Sequence, residues 1–214
     1  MRENYENQLA QLNQNLTRMG ELCEQIIDYS SRLLVSWDKD LAKQVKKVGG
    51  EIDEMERSIE TVCMRLLLRQ QPVARDLRVV SAGLKIITDL ERIGDQAEDI
   101  AEIAESIQGA NPEGHGDIQL MAQHAASMVT DSVDAYIRQD VELAKNVLTF
   151  DDQVDGDFLR IRKELIQAIA REPEQGEKTL DLLMIAKYFE RIADHATNVA
   201  EWVIYSVTGT HEEA

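Results

Sequence analysis

ERIGDQAEDIAE at residues 91–102 and ERIADHATNVAE at residues 190–201 are two versions of one segment, identical at seven of twelve positions. Each version keeps a Glu-x-x-x-Asp pair, whose two acids stand about one helical turn apart. A chain that contains the same amphipathic segment twice is expected to contain the same structural unit twice. The sequence therefore predicts an internal repeat, with a helix at the same place in each copy.

The rest of the chain is also patterned as helix. Apolar residues recur at intervals of three and four, as in Leu90, Ile93, Ala97 and Ile100, and the strict alternation of a strand is absent. With 5% aromatic residues, 3 prolines and 11 glycines, the composition favours long helices over an all-β fold. An all-α fold is predicted.

Aligning the copies defines two halves. Asp38 aligns with Asp140 at an offset of 102 residues, whereas Glu91 aligns with Glu190 at an offset of 99, so three residues are missing from one loop of the second half. Each half is interpreted as a three-helix bundle, giving two tandem bundles over residues 1–108 and 118–214. A segment rich in Gly, 109–117, is predicted to link them. The predicted helices are 5–36, 39–70, 73–108, 118–138, 141–171 and 176–208.

Charge limits the classes of function. The chain has 40 acidic and 23 basic residues, and its net charge of −17 opposes binding to nucleic acid or to an anionic membrane. No apolar run is long enough to span a membrane, and the N-terminal residues do not resemble a signal peptide. Cys23 and Cys63 form no CxxC pair and are expected to be reduced, buried thiols. A cytoplasmic protein is predicted, one that attracts cations and basic partner surfaces.

The repeated segment has an acidic face. At about 100° per residue, the acids of the first copy lie opposite its apolar residues; they are Glu91, Asp95, Glu98, Asp99 and Glu102. Glu190, Asp194, Asn198 and Glu201 occupy this face in the second copy. Such a face is usually only solvated. However, like charges one turn apart repel each other, and both copies keep the Glu-x-x-x-Asp pair although other positions differ.

These acids are candidate ligands for a metal ion. Oxygen-only ligand sets suit hard cations such as Mg²⁺, Ca²⁺, Mn²⁺ or iron. The second helix of each half could add opposing ligands, namely Asp151 and Asp155 in the second half and Asp53 in the first. Gly49 stands where Asp151 would be expected. A site in the first half is therefore predicted to be weaker or assembled differently.

Two longer stretches resemble the signature segments of the PhoU family, RQQPVARDLRVVSAGLKIITDLERIGDQAEDIAE at 69–102 and KYFERIADHATNVAEWVIYSVTG at 187–209. The resemblance covers nearly the whole chain. It implies two similar three-helix bundles whose E(D)xxxD motifs bind metal clusters, with iron, zinc, manganese or magnesium as the expected ions. Mapped onto this sequence, the implied ligands are Glu91, Asp95, Asp53, Glu190, Asp194, Asp151 and Asp155, with Asp99 and Asn198 extending each face by one turn.

The resemblance also implies a role. Proteins of this family restrain phosphate uptake and the phosphate-starvation response when phosphate is plentiful, acting between the phosphate ABC transporter and a membrane sensor histidine kinase. By this analogy the chain is a non-catalytic adaptor that contacts the ATPase subunit of the transporter and the kinase. A homodimer without direct membrane insertion is expected.

Two alternatives remain. An acidic helical bundle without metal could serve as a dimerisation or structural module. A di-metal carboxylate oxidoreductase would need Glu-x-x-His pairs, and the sequence contains none. His195 is expected off the acidic face, at the edge of the core, with a role as metal ligand as the alternative. Arg92 and Arg191 are expected in salt bridges, with contact to a partner as the alternative. The PVARDLR turn, 72–78, is expected to order the chain between the second and third helices, with partner docking as the alternative.

Overall fold

The computed structural model describes residues 2–70, 72–108 and 115–210, and within these ranges it contains helices and no strand. The six α-helices are α1 Arg2–Val35, α2 Lys39–Gln70, α3 Arg75–Ser106, α4 His115–Arg138, α5 Val141–Arg171 and α6 Gly176–Thr208, with a 3₁₀ turn, Pro173–Gln175, before α6. The all-α prediction is confirmed, and every helix begins and ends within three residues of its predicted bounds. Residues 109–114 of the predicted linker lie outside the described residues, and 115–117 form the first turn of α4.

Equivalent aspartates start α2 and α5. The Oδ1 atom of Asp38 accepts hydrogen bonds from the backbone N–H groups of Asp40 (2.7 Å) and Leu41 (3.2 Å). In the second half, Asp140 Oδ1 accepts one from the backbone N–H of Leu143 (3.0 Å). Each cap satisfies N–H groups that have no partner inside the helix, and each follows closely on the end of the preceding helix. The same turn is therefore built twice.

The six helices pack as a row of four backed by two. The row is α2–α3–α6–α5, in which each helix packs on its neighbour, while α1 packs on α2 and α3, and α4 packs on α5 and α6. The halves meet where α3 packs on α6 and where α1 packs on α4, and one apolar core runs through both. Because α1 and α4 cover one side of the row, its other side is open.

The helices α3 and α6 run in opposite directions at the centre of the row. Near the start of α3, Arg78 Nε donates to the carbonyl oxygen of Ser206 near the end of α6, at 3.4 Å. Near the end of α3, Ser106 Oγ donates to Asp181 Oδ2 near the start of α6, at 2.7 Å. Each end of this helix pair is thus tied by a polar contact between the halves.

An approximate twofold axis relates the two halves across this pair. Asp89 on α3 accepts hydrogen bonds through Oδ1 from Asn198 Nδ2 (3.1 Å) and pairs with His195 Nδ1 (2.9 Å) on α6. Under the repeat, Tyr188 is the equivalent of Asp89 and Asp99 that of Asn198. Asp99 lies beside Tyr188, and burial and this carboxylate raise the pKa of the phenol. The contact therefore occurs twice, with different chemistry in each copy.

Both cysteines are free and buried in the core. Burial raises the pKa of both thiols, to about 12 for Cys63, so neither is a reactive thiolate at neutral pH. No helix in the described ranges is both long and apolar enough to cross a membrane.

Replacing Asp89 by Ala is expected to destabilise the fold. Its side chain is only 15% exposed and serves two polar groups of α6, which would be left without their partner. We expect the free energy of unfolding, measured by urea titration, to fall by about 1–3 kcal/mol. The control is Asp28→Ala, which removes only an exposed pair with Arg32 and should cost less than about 0.5 kcal/mol. If Asp89→Ala and Asp28→Ala lower the free energy of unfolding equally, the contacts of Asp89 with α6 do not stabilise the fold.

Candidate functional site

Five carboxylates of α2 and α3 gather in the groove between these helices, and we call them the first acidic cluster: Asp53, Glu56, Glu91, Asp95 and Glu98. Burial raises the pKa of Glu91, and the charges of Asp95, Glu56 and Asp53 raise it further. Burial and the charge of Asp53 also raise the pKa of Glu56, Asp95 and Glu98. Asp53 therefore acts on all four other members, and the cluster repels itself in a partly desolvated groove.

The positive charges of three basic side chains, Lys46, Arg57 and Arg92, act on this cluster. Arg92 approaches Asp95 through Nη1 and Glu91 through Nε, both at 3.5 Å, which agrees with the salt bridges expected for it. Its side chain is 56% exposed, so these pairs contribute little to stability. The other two basic groups act through their charges on one carboxylate each, so the five carboxylates still outnumber the cations around them.

The second acidic cluster lies between α5 and α6 and comprises Asp151, Asp155, Glu190 and Asp194. Burial raises the pKa of Asp151, followed by the charges of Asp155 and Asp194. Burial and Asp155 likewise raise the pKa of Asp194. The repeat therefore produces the same kind of carboxylate groove in both halves, and both grooves lie between helices of the row.

The second acidic cluster contains a cation of its own. Lys187 forms an ion pair with Glu190, and its charge offsets part of the rise in the pKa of Asp194. Its ammonium group also lies 5.3 Å from the ring centre of Phe158, in cation–π geometry. In the first half, Thr88 occupies the position of Lys187 and Glu56 that of Phe158. At these two positions the first half therefore has one more acidic and one fewer basic side chain than the second.

Gly49 explains how the two halves differ. A Cβ atom on Gly49 would overlap the carboxyl group of Glu98, which lies directly over this glycine. In the second half, Asp151 replaces Gly49 on α5, and Thr197 replaces Glu98 on α6 and lies close to Asp151. Each half therefore has one carboxylate at this place in the groove. It comes from α3 in the first half and from α5 in the second.

The structure brings most of the predicted ligands together. Asp53, Glu91 and Asp95 are members of the first acidic cluster, and Asp151, Asp155, Glu190 and Asp194 form the second. The remaining two, Asp99 and Asn198, lie at the contact between α3 and α6. There Asp99 lies beside Tyr188, and the Asn198 side-chain amide donates to Asp89. Their assignment as metal ligands stays a prediction.

The chemistry of both clusters suits a hard cation, because every donor is a carboxylate oxygen. Within residues 2–70, 72–108 and 115–210, no three Asp, Glu, His or Cys side chains already converge as a metal-binding set. Capture of an ion would therefore need rotation of side chains into the groove. These side chains are half-buried or exposed, so their terminal torsions have room to rotate.

Three members of the site were not predicted as functional. Glu98 was placed on the acidic face, but its role became visible only when its carboxyl group was found above Gly49. Glu56 and Lys187 were not selected because neither belongs to the repeated Glu-x-x-x-Asp motif. A systematic comparison of the halves would have identified Lys187, since it aligns with an uncharged Thr88 beside an otherwise repeated motif.

Fold and site together define a class of duplicated helical proteins with two carboxylate grooves. A family model described as PhoU domain matches residues 16–104 and 118–203. A phosphate-specific transport system accessory protein PhoU homolog from Clostridium acetobutylicum is 38% identical over 97% of this chain and 96% of its own length.

Two crystal structures have the same fold. PhoU from Pseudomonas aeruginosa superposes with a TM-score of 0.90 and 35% identity, covering 96% of this chain and 100% of that one. The phosphate transport system regulatory protein PhoU from Streptococcus pneumoniae has a TM-score of 0.88 and 26% identity, covering 98% and 100%. This chain belongs to the PhoU domain family. The predicted family and the predicted fold of tandem three-helix bundles are confirmed.

The repulsion within the first acidic cluster predicts an unusual pH dependence. Because the pKa values of Glu56, Glu91, Asp95 and Glu98 are raised on folding, the folded protein binds protons more readily than the unfolded chain just above their usual pKa values. In that window the free energy of unfolding increases as pH falls. With a chelator present, we expect the thermal midpoint to rise as the pH is lowered from about 6 to about 5.

Asp53→Asn isolates this effect. The variant removes the charge that acts on the other four carboxylates, so its midpoint should increase less on acidification than that of the wild type. All other groups of the chain are the same in both proteins, and the difference between their pH responses is therefore the readout. An identical pH response in the wild type and Asp53→Asn would refute the electrostatic coupling.

The glycine pair in α2 provides a second prediction. Gly50→Ala adds a methyl group in open space and should stabilise the helix by about 0.5–1 kcal/mol. Gly49→Ala should stabilise less, because it displaces the Glu98 carboxyl group, and it should also reduce the rise in thermal midpoint on adding Mn²⁺. Thermal unfolding with and without Mn²⁺ measures both effects. If Mn²⁺ raises the thermal midpoint of both variants equally, the position of Glu98 over Gly49 does not contribute to ion binding.

Proposed function

We propose that this chain is a non-catalytic regulator of phosphate uptake and of the phosphate-starvation response. The observation that carries the proposal is similarity along nearly the whole chain to proteins named as accessory or regulatory proteins of phosphate transport. The duplicated signature and both carboxylate grooves lie within the matched regions, 16–104 and 118–203. The proposal therefore rests on the complete repeat and not on a single motif.

The two acidic clusters bind divalent or trivalent cations in this proposal. Asp53, Glu91, Asp95 and Glu98 hold ions in the first half. In the second half the ligands are Asp151, Asp155 and Asp194, with Glu190 available once it leaves Lys187. Iron, zinc, manganese and magnesium are the candidate ions. A bound cation supplies positive charge that cancels the repulsion within each groove. The carboxylates in turn fix the ion between two helices of the row.

The adaptor role uses the open side of the helix row. Both clusters lie in grooves of this row, and α1 and α4 cover its other side. The open side is therefore available to the ATPase subunit of the phosphate ABC transporter and to the sensor histidine kinase. We place the protein in the cytoplasm, where both partners are accessible, and expect it to act as a homodimer.

A metal-free adaptor is the second candidate. The observation that favours it is the pair of internal cations, Lys187 at Glu190 and Arg92 at Glu91 and Asp95. If these side chains provide all the compensation that the clusters need, the grooves are structural and ions are dispensable. The two candidates differ in the metal content of the purified protein and in the effect of removing carboxylates.

Deletion and complementation test the proposed function. Deleting the gene should leave phosphate uptake and starvation-response genes active in phosphate-rich medium, and the wild-type gene should restore repression. We expect Glu91→Gln/Asp95→Asn and Glu190→Gln/Asp194→Asn to contain less metal by elemental analysis and to repress incompletely. The control, Asp28→Asn/Asp134→Asn, removes two exposed charges outside both clusters.

The outcomes separate the candidates. Unchanged uptake and expression in the deletion strain would overturn the regulatory proposal itself. Full repression by both cluster variants, despite their lower metal content, would support the metal-free adaptor. Metal content equal to that of the wild type in both variants would remove the assigned ligands.

A further inference from the structure

The turn between α2 and α3 is held in place from two sides. Asp76 lies beside the phenol of Tyr5 on α1, and burial together with this carboxylate raises the pKa of Tyr5 to about 12. Arg78 donates to the Ser206 carbonyl oxygen and lies next to Gly209, at the end of α6. These contacts account for the ordering role predicted for the 72–78 turn. They also fix which of its side chains face outward.

The outward side chains combine apolar and basic groups. Leu68 and Val73 are each 73% exposed and Leu77 is 44% exposed, although large apolar side chains are normally covered. Arg65, Arg69 and Arg75 are exposed beside them, and none makes a salt bridge within the described ranges. We call these six residues the arginine end. Three arginines without an ion pair among the described residues stand out in a chain whose net charge is −17.

The corresponding turn of the second half has the opposite charge. Glu172, Glu174 and Glu177 are exposed around the α5–α6 turn, and none has a salt-bridge partner in the described parts of the chain. Exposed apolar side chains accompany them, with Ile166 at 55%, Leu180 at 54% and Met184 at 47%. We call these six residues the glutamate end. Among the described residues, each half thus ends in exposed apolar side chains, which are accompanied by arginines in the first half and by glutamates, flanked by Arg171 and Lys178, in the second.

The fold separates these two ends by the length of a helix. The arginine end is at the start of α3 and the glutamate end at the start of α6, and these helices run in opposite directions. With 32 residues in α3, the separation is about 48 Å. Two copies related by a half-turn would place the arginine end of each copy next to the glutamate end of the other. Both contacts then form within one closed, twofold dimer.

We propose that the arginine end of one copy docks on the glutamate end of a second copy, so that two antiparallel copies form a closed dimer. The inference rests on the homodimer of the proposed function and identifies its surfaces. Charge complementarity between two surfaces of the same chain selects a second copy as the occupant. Arginine pairs with carboxylate while the leucines, valine and isoleucine cover one another, which is the usual composition of a protein interface.

The small size of the two contacts predicts a weak dimer. Six side chains at each end are fewer than the roughly 20–30 residues per partner of a standard interface, even when both contacts are counted. The dimer should therefore be weak and dissociate in the micromolar range. Sedimentation velocity of the full chain, over a concentration series at fixed ionic strength, measures the dissociation constant of the dimer.

Complementary charge reversals test the pairing. Arg69→Glu/Arg75→Glu makes both ends acidic, and Glu172→Arg/Glu174→Arg makes both ends basic. Each variant alone should dimerise at least about tenfold more weakly than the wild type, because its two contacts become repulsive. An equimolar mixture of the two variants should dimerise again, since both contacts regain opposite charges. Recovery in the mixture also shows that neither variant has lost its fold.

The control reverses two basic residues elsewhere. Arg18→Glu/Lys47→Glu changes the net charge as much as the first variant, but both residues lie near Glu51, in the groove between α1 and α2. Its dimerisation should match that of the wild type. A wild-type dimer that persists in both reversed variants would overturn these surfaces and leave the proposed homodimer intact. If the wild type stays monomeric at several hundred times its cellular concentration, the proposed surfaces and the proposed homodimer are both wrong. The proposed regulatory role would not be affected by that result.

Discussion

Repulsion between carboxylates that two neighbouring helices hold in one groove is the constraint on which this structure depends. The apolar residues of α3 face the core, and Glu91, Asp95 and Glu98 between them lie in the groove toward α2, where Asp53 acts on four neighbours. The same arrangement recurs between α5 and α6. The fold builds this unfavourable arrangement twice, and the cation that we propose for each half would relieve a cost that is already present.

Duplication preserved the groove while its members changed. The carboxyl group above Gly49 comes from Glu98 on α3, and its counterpart, Asp151, comes from the other helix of its groove. Both halves thus have a carboxylate at the same point of the groove, although the two residues are not equivalent in the repeat. The contact between α3 and α6 behaves in the same way, with Asp89 and Asn198 on one side of the axis and Tyr188 and Asp99 on the other. Geometry, and not residue identity, is what the two halves share.

The periodicity and the repeat were enough to predict the six helices, because each helix must bury one apolar face and their caps recur at Asp38 and Asp140. They also predicted most members of the two clusters. What they could not predict was the packing of α3 on α6, since the angle of a residue on its own helix does not say which neighbour it meets. Asp99 and Asn198 were assigned to the acidic face for that reason, and the structure places them between the halves. The position of Glu98 over Gly49 likewise depends on two helices at once.

Anomalous X-ray scattering from crystals soaked in Mn²⁺ would show whether the two carboxylate grooves bind cations, because it locates the ions without reference to activity. We expect anomalous peaks in the groove between α2 and α3, within bonding distance of Asp53, Glu91, Asp95 or Glu98, and a second set near Asp151, Asp155 and Asp194. Crystals that bind manganese only elsewhere, and leave both grooves without a peak at saturating concentration, would contradict this expectation.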